Sequence, residues 1–125
     1  MISFDSFKPD NSSPIYLQIL SFVKRGIACG AITDGDELPS RRALSVLLGI
    51  NPNTVQRAFS MLEEEGLISS SHGVTSIVTA PPERVNKLKE EILAADAKST
   101  AALFKQNGLS LEQVAALLAA YWEEV

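Results

Sequence analysis

Polar stops divide the chain into apolar runs of two different periods. After a polar opening at 8–13, Ile15, Ile19, Phe22 and Ile27 recur at helical spacing, and Ser13–Pro14 has the chemistry of an N-cap followed by a first helical residue. This predicts a first helix over 14–29, stopped by Gly30. Residues 31–37 carry the Asp34–Gly35 turn signal and no periodicity. Ser40 then precedes a short helix over 41–48, with Leu44, Leu47 and Leu48 expected in the core. Gly49 is expected to close that helix in the left-handed conformation that glycine adopts freely. Asn51–Pro52 repeats the cap-then-proline pattern and opens a third helix over 52–65, with Val55, Phe59 and Leu62 as its buried stripe. Two helices joined by a short turn containing glycine make a helix-turn-helix candidate.

Beyond Gly66 the helical period gives way to short β-like runs. Residues 67–70 and 75–79 flank Ser71–His72–Gly73–Val74, a natural hairpin tip. Pro81–Pro82 is the best internal boundary. It predicts a winged-helix domain over 1–80 and a two-helix tail over 81–125. The first tail helix, 83–107, carries Val85, Leu88, Ile92, Ala95, Ser99 and Leu103 near a heptad seam. Ser110 and Gln113 form a capping-box pair that opens the second, 111–124, with Val114, Leu117, Leu118, Tyr121 and Val125 on one face and Trp122 beside it. So short a pair cannot bury its own apolar faces. Packing on the winged helix and on a second copy of the chain is the expected solution, through Leu88, Ile92, Leu103, Leu117, Leu118, Tyr121 and Trp122. The fold class is therefore mainly α with a small β-hairpin: a winged helix-turn-helix followed by a short two-helix dimerisation region.

Composition narrows the chemistry. At 125 residues, with 46% hydrophobic and 21% charged, the chain suits one compact core and excludes disordered and low-complexity classes. No apolar run reaches the ~18 residues of a membrane span, no secretory signal opens the chain, and the single Cys29 permits no internal disulfide. A cytoplasmic protein without a membrane partner is expected. Cys29 itself is expected to be a small buried hydrophobe. One His and one Cys supply neither a zinc site nor a nucleophile–base pair, so no enzyme, no metal and no cofactor are expected.

Eleven basic against 15 acidic side chains give −4 overall, yet residues 38–62 hold Arg41, Arg42 and Arg57 and no acid. The third helix opens with Asn51, Asn53, Thr54, Gln56 and Arg57 on faces away from its apolar stripe. Asn and Gln donate and accept together, which suits the adenine edge, while Arg suits guanine or phosphate. Arg41 and Arg42 at the start of the second helix suit phosphate; the alternative is that they are solvated or hold the Glu63–Glu65 run. His72–Gly73 at the hairpin tip could enter a minor groove, although turn chemistry alone explains Gly73. Glu63, Glu64 and Glu65 point in different directions on a helix and are expected to be solvated surface. A winged helix serving as a protein-interaction module without DNA binding is the alternative function. An interaction module, however, has no reason to exclude acids from 38–62.

The string PIYLQI (14–19), GDELPSRRAL (35–44) and LLGINPNTVQRAFSMLEEEGLI (47–68) resembles the N-terminal domain of the GntR family of bacterial transcription regulators. The short two-helix tail is similar to the YtrA-like subfamily. The resemblance implies a cytoplasmic homodimer that binds a palindromic DNA operator, usually as a repressor. A small-molecule effector is possible but not identified by the sequence; a tail of about 43 residues has little room for a buried pocket, so a site between the domains or at the dimer interface is expected for one. Ser40 and Arg42 of the LPSRR block and Asn51, Asn53, Thr54 and Arg57 of the NPNTVQR block are the contacts it implies. Many relatives carry arginine where Pro52 and Gln56 stand, so their base readout is not expected to transfer. Relatives also show a basic tip with a second glycine where this chain has Thr75, which implies weaker engagement of DNA by the wing.

Overall fold

The structure is a computed structural model that describes residues 1–71 and 75–125. Among the described residues the order is α1 (Ile15–Cys29), β1 (Glu37–Leu38), α2 (Arg41–Leu48), α3 (Pro52–Glu64), β2 (Ile68–Ser71), β3 (Thr75–Val78), α4 (Pro82–Gln106) and α5 (Leu111–Tyr121). A 3-10 turn at Trp122–Glu124 follows. The chain divides into two compact units, Met1–Lys89 and Glu90–Val125.

In the first unit, α1 packs mainly on α3. Ile19, Leu20, Val23 and Ile27 of α1 and Val55, Ala58, Phe59 and Leu62 of α3 are buried, joined by Leu44, Leu67, Ile68, Val78 and Leu88. Positions 19, 23 and 27 lie four apart and therefore share one helix face. That face turns Cys29 away, and the thiol is exposed, contrary to the expectation of a buried one. The start of α1 also differs from expectation. Pro14 is its cap and no side chain caps it, while the Ser13 carbonyl accepts from Gln18 Nε2 at 2.7 Å. Gly26 is required by close approach, because a Cβ there would stand 2.4 Å from Ile32 Cδ1.

The inward face of α2 consists of Leu44 and Ser45, with Leu48 half-buried. Ser45 is accepted inside because its hydroxyl donates to the Arg42 carbonyl at 2.9 Å. At ~100° per residue that face turns Leu47 outward, so Leu47, expected in the core, is 62% exposed. Gly49 closes the helix at φ 66°, and its backbone N–H bonds back to Ser45 and Val46.

The sheet has three antiparallel strands in the order β1–β3–β2. The hairpin register pairs Ile68 with Val78 and Ser71 with Thr75, as the turn position implies. Strand β1 lies in the segment that shows no periodicity, since two residues are too short to display one. It is recruited by Val78, whose N–H donates to the Asp36 carbonyl at 2.8 Å, and by register pairs 37–77 and 38–76. Asp34 adds a side-chain tie, accepting from the Ala80 N–H at 2.7 Å. The first residues also belong to the core. Ile2 N donates to the Glu37 carbonyl at 2.8 Å, and Phe4, Phe7 and Phe22 cluster with centroids 5.0–6.2 Å apart.

The second unit is the remainder of α4, then α5 opened by the Ser110–Gln113 capping box. None of its side chains is buried. Leu103, Leu117, Leu118, Tyr121 and Trp122 are exposed, and Ile92 is intermediate. Leu88, expected on a dimer face with them, is instead sealed in the core of the first unit and is not available to a second chain.

Candidate nucleic-acid interface

Two helix N-termini carry the candidate residues. At α2, Ser40 Oγ accepts from the Ala43 N–H at 3.0 Å, which satisfies one of the free donors of the first turn. At α3, Asn51 Oδ1 accepts from the Asn53 N–H at 2.8 Å, and Pro52 occupies the position where a missing N–H costs nothing. Neither helix has an acid in its first turn, so the positive ends of both dipoles are left uncompensated. Capping fixes Ser40 and Asn51 as structural oxygens and orients the side chains that follow.

On α3 the burial of Val55, Ala58, Phe59 and Leu62 leaves Asn53, Gln56 and Arg57 exposed and Thr54 half-buried. Arg57 is pre-positioned: its guanidinium carbon lies 3.9 Å from the centroid of the Tyr16 ring on α1. Such stacking holds an arginine in one orientation while leaving its in-plane donors free for an acceptor. Gln56 Nε2 bonds to Ser60 Oγ at 3.2 Å, one turn along the same face. On α2, exposed Arg42 lines an open groove with Ser40, Ala43, Val46 and Leu47.

Arg41 has a different setting. Its Nη2 donates to Glu63 Oε1 at 2.6 Å, and its guanidinium lies 5.1 Å from the centroid of Phe59. The Ser70 hydroxyl donates to the same carboxylate oxygen at 2.6 Å. The Ser70 bond, with Arg41 beside it, holds the Glu63 carboxyl below its ordinary value even though burial pushes the other way. The stabilisation this lends is present at neutral pH and is lost as pH falls through the lowered value. Glu65 pairs with Lys24 of α1 at 2.6 Å, and its carbonyl accepts from Arg84 of α4 at 3.2 Å. Glu63 and Glu65, expected to be solvated surface, are therefore ties between elements. The hold of Arg41 on this run matches the alternative reading of that arginine, while Lys24 and Ser70 as partners lie beyond local spacing, 41 and 7 residues away. His72 and Gly73 of the expected wing tip lie outside the described residues.

Among the described residues no group of His, Cys, Asp or Glu is arranged to hold a metal ion. No helix among them is long and apolar enough to cross a membrane. The arrangement offers hydrogen-bonding and cationic side chains on a rigid two-helix support.

A family model described as bacterial regulatory proteins, gntR family, matches residues 15–78. The chain is 30% identical to the uncharacterized HTH-type transcriptional regulator YhcF of Bacillus subtilis, over 83% of this chain and 86% of that one. It is 42% identical to the HTH-type transcriptional repressor YtrA of the same organism, over 58% of this chain and 54% of YtrA. Among solved structures, a GntR family transcriptional regulator from Listeria monocytogenes superposes with a TM-score of 0.80 at 30% identity, over 90% of this chain and 98% of that one.

Proposed function

Because the chain belongs to the gntR family of bacterial regulatory proteins, a family of DNA-binding transcription regulators rather than enzymes, we propose that it acts in the cytoplasm as a homodimeric repressor of a palindromic operator. The observation that carries this reading is the acid-free pair of capped helix N-termini, with Arg42, Asn53, Gln56 and Arg57 exposed beside them. An α-helix fits the major groove and presents its N-terminal side chains to base edges. In this reading α3 is the recognition helix. Asn53, Thr54 and Gln56 read bases, Arg57 reads guanine or phosphate, and Arg42, the Ser40 O–H and the Asn51 amide Nδ2, donors that capping leaves unused, hold the backbone. The repressor role follows the similarity to YtrA, and a two-fold dimer sets half-sites ~34–36 Å apart or a multiple of that. The exposed apolar residues of α5 support a second copy as the dimer partner, with residues 1–80 binding DNA and 81–125 dimerising. An effector, if one acts, has its best place where the copies meet.

Selection from a random duplex library with salt titration tests this. A two-fold symmetric site with a steep salt slope is expected. Arg42→Ala should weaken binding to all sequences alike and flatten that slope by about one unit per bound protomer. Asn53→Ala should cost about 1–3 kcal/mol and relax discrimination at one base position. A loss from Asn53→Ala that is uniform over sequences removes its base-reading role. No enrichment over bulk DNA at low salt favours a protein-interaction module, or a repressor that binds DNA only with its ligand.

A further inference from the structure

Arg41 and Arg42 are neighbours in the first turn of α2, yet only Arg42 is exposed. Arg41 is held on α3 by the Glu63 carboxylate and the Phe59 ring. The carboxylate oxygen that binds Arg41 also binds Ser70 of β2, whose hydroxyl lies 3.2 Å from that of Ser76 on β3. One acid on α3 thus ties down both a cation of α2 and the hairpin at its Ser70–Ser76 pair, close to the turn.

Stability alone is a poor account of this arrangement. The paired side chains keep 26% and 37% of their surface exposed, a setting in which ion pairs contribute little. Arg41 Nε is buried with no hydrogen-bond acceptor among the described residues, which opposes the gain. What the pair does settle is where a positive charge resides. A free arginine at this helix N-terminus would add one phosphate contact, and each such contact steepens the salt dependence by about 0.9 unit whatever the sequence.

We propose that Glu63 withholds Arg41 from the DNA backbone and fixes the hairpin on the recognition helix, a positioning role that restrains sequence-independent binding. This rests on the DNA-binding reading of α2 and α3 given above.

The test measures salt-dependent affinity of the full chain for its selected operator and for a random-sequence duplex of equal length. Glu63→Gln keeps the side chain's size and removes its charge. It should steepen the salt slope by about one unit per bound protomer, hence about two for a dimer, on both duplexes. It should also tighten random-sequence binding several-fold more than operator binding, so that the specificity ratio narrows. Glu64→Gln makes the same charge change at an exposed neighbour and should do neither. Arg41→Ala alone should leave the slope unchanged, and adding it to Glu63→Gln should restore the wild-type slope. The proposal is overturned if Arg41→Ala alone flattens the slope, because Arg41 then already contacts phosphate. It is equally overturned if Glu63→Gln matches Glu64→Gln while Arg42→Ala still flattens the slope, an outcome that leaves the DNA-binding reading standing. If Arg42→Ala has no effect either, both that reading and the restraint fall together.

Discussion

Placing charge on α5 with Leu117→Glu and Leu118→Glu is expected to lower operator affinity by about 10²–10⁴-fold, the usual gain from tying two binding modules together. Both leucines are exposed, at 40% and 42%, alongside Tyr121 at 57% and Trp122 at 67%. An apolar surface of this kind at the end of a chain marks a site for a partner. The chain's second unit buries no side chain of its own, so its stability calls for something to cover that face. In the proposed dimer a second copy would cover that face symmetrically and bring two copies of α3 to one operator. Once one half-site is bound, the other binds at high effective concentration, and a monomer forfeits that gain. Sedimentation should show a dimer for the wild type and a monomer for the double variant. Affinity for a single half-site should be unchanged, which separates lost assembly from lost folding. A variant that keeps its dimer mass and its operator affinity would remove α5 as the interface. Leu88 offers a contrast: being buried in the first unit, it should affect stability when truncated, and assembly only indirectly.

The sequence made the helix-turn-helix legible because each of its boundaries is set by local chemistry. Ser40, Gly49, Asn51 and Pro52 act within three or four residues of themselves, and each performs the expected cap or stop. The apolar stripe of α3 is likewise a local period, and Val55, Phe59 and Leu62 are all buried. What escaped notice depends on distant partners. Strand β1 exists because β3 lies beside it some 40 residues on. Phe4 is core because α1 brings Phe22 to it, and nothing in the first seven residues announces a period. Leu47 faces outward because a serine with a local hydrogen bond can take an inward position, which an apolar count does not anticipate. The candidate site divides along the same line. The exposed polar face of α3 follows from its stripe, and a hold of Arg41 on the Glu63–Glu65 run is one of the readings its charge leaves open, whereas the choice of Glu63 as its partner and the stacking of Arg57 on Tyr16 needed the fold.

Phe59→Ala is expected to cost about 3–5 kcal/mol of folding stability, the usual range for emptying an aromatic from a closed core. Phe59 is completely buried on α3, the helix against which both α1 and α2 pack. Truncation leaves a void that rigid helices cannot readily fill, and it removes the ring beneath the Arg41 guanidinium. Against the 5–15 kcal/mol typical of native proteins, the loss is a large share of the total. Urea unfolding followed by circular dichroism should show a lower midpoint with little change in slope. Phe59→Leu retains much of the volume and should cost distinctly less, which distinguishes a packing effect from general intolerance at this position. At temperatures where the Ala variant remains folded, its base preference should match the wild type, since Asn53, Gln56 and Arg57 are exposed and take no part in that core. A cost below about 1 kcal/mol would mean that Phe59 is not enclosed as described. The support of the recognition helix would then have to be sought elsewhere in the α1–α3 contact.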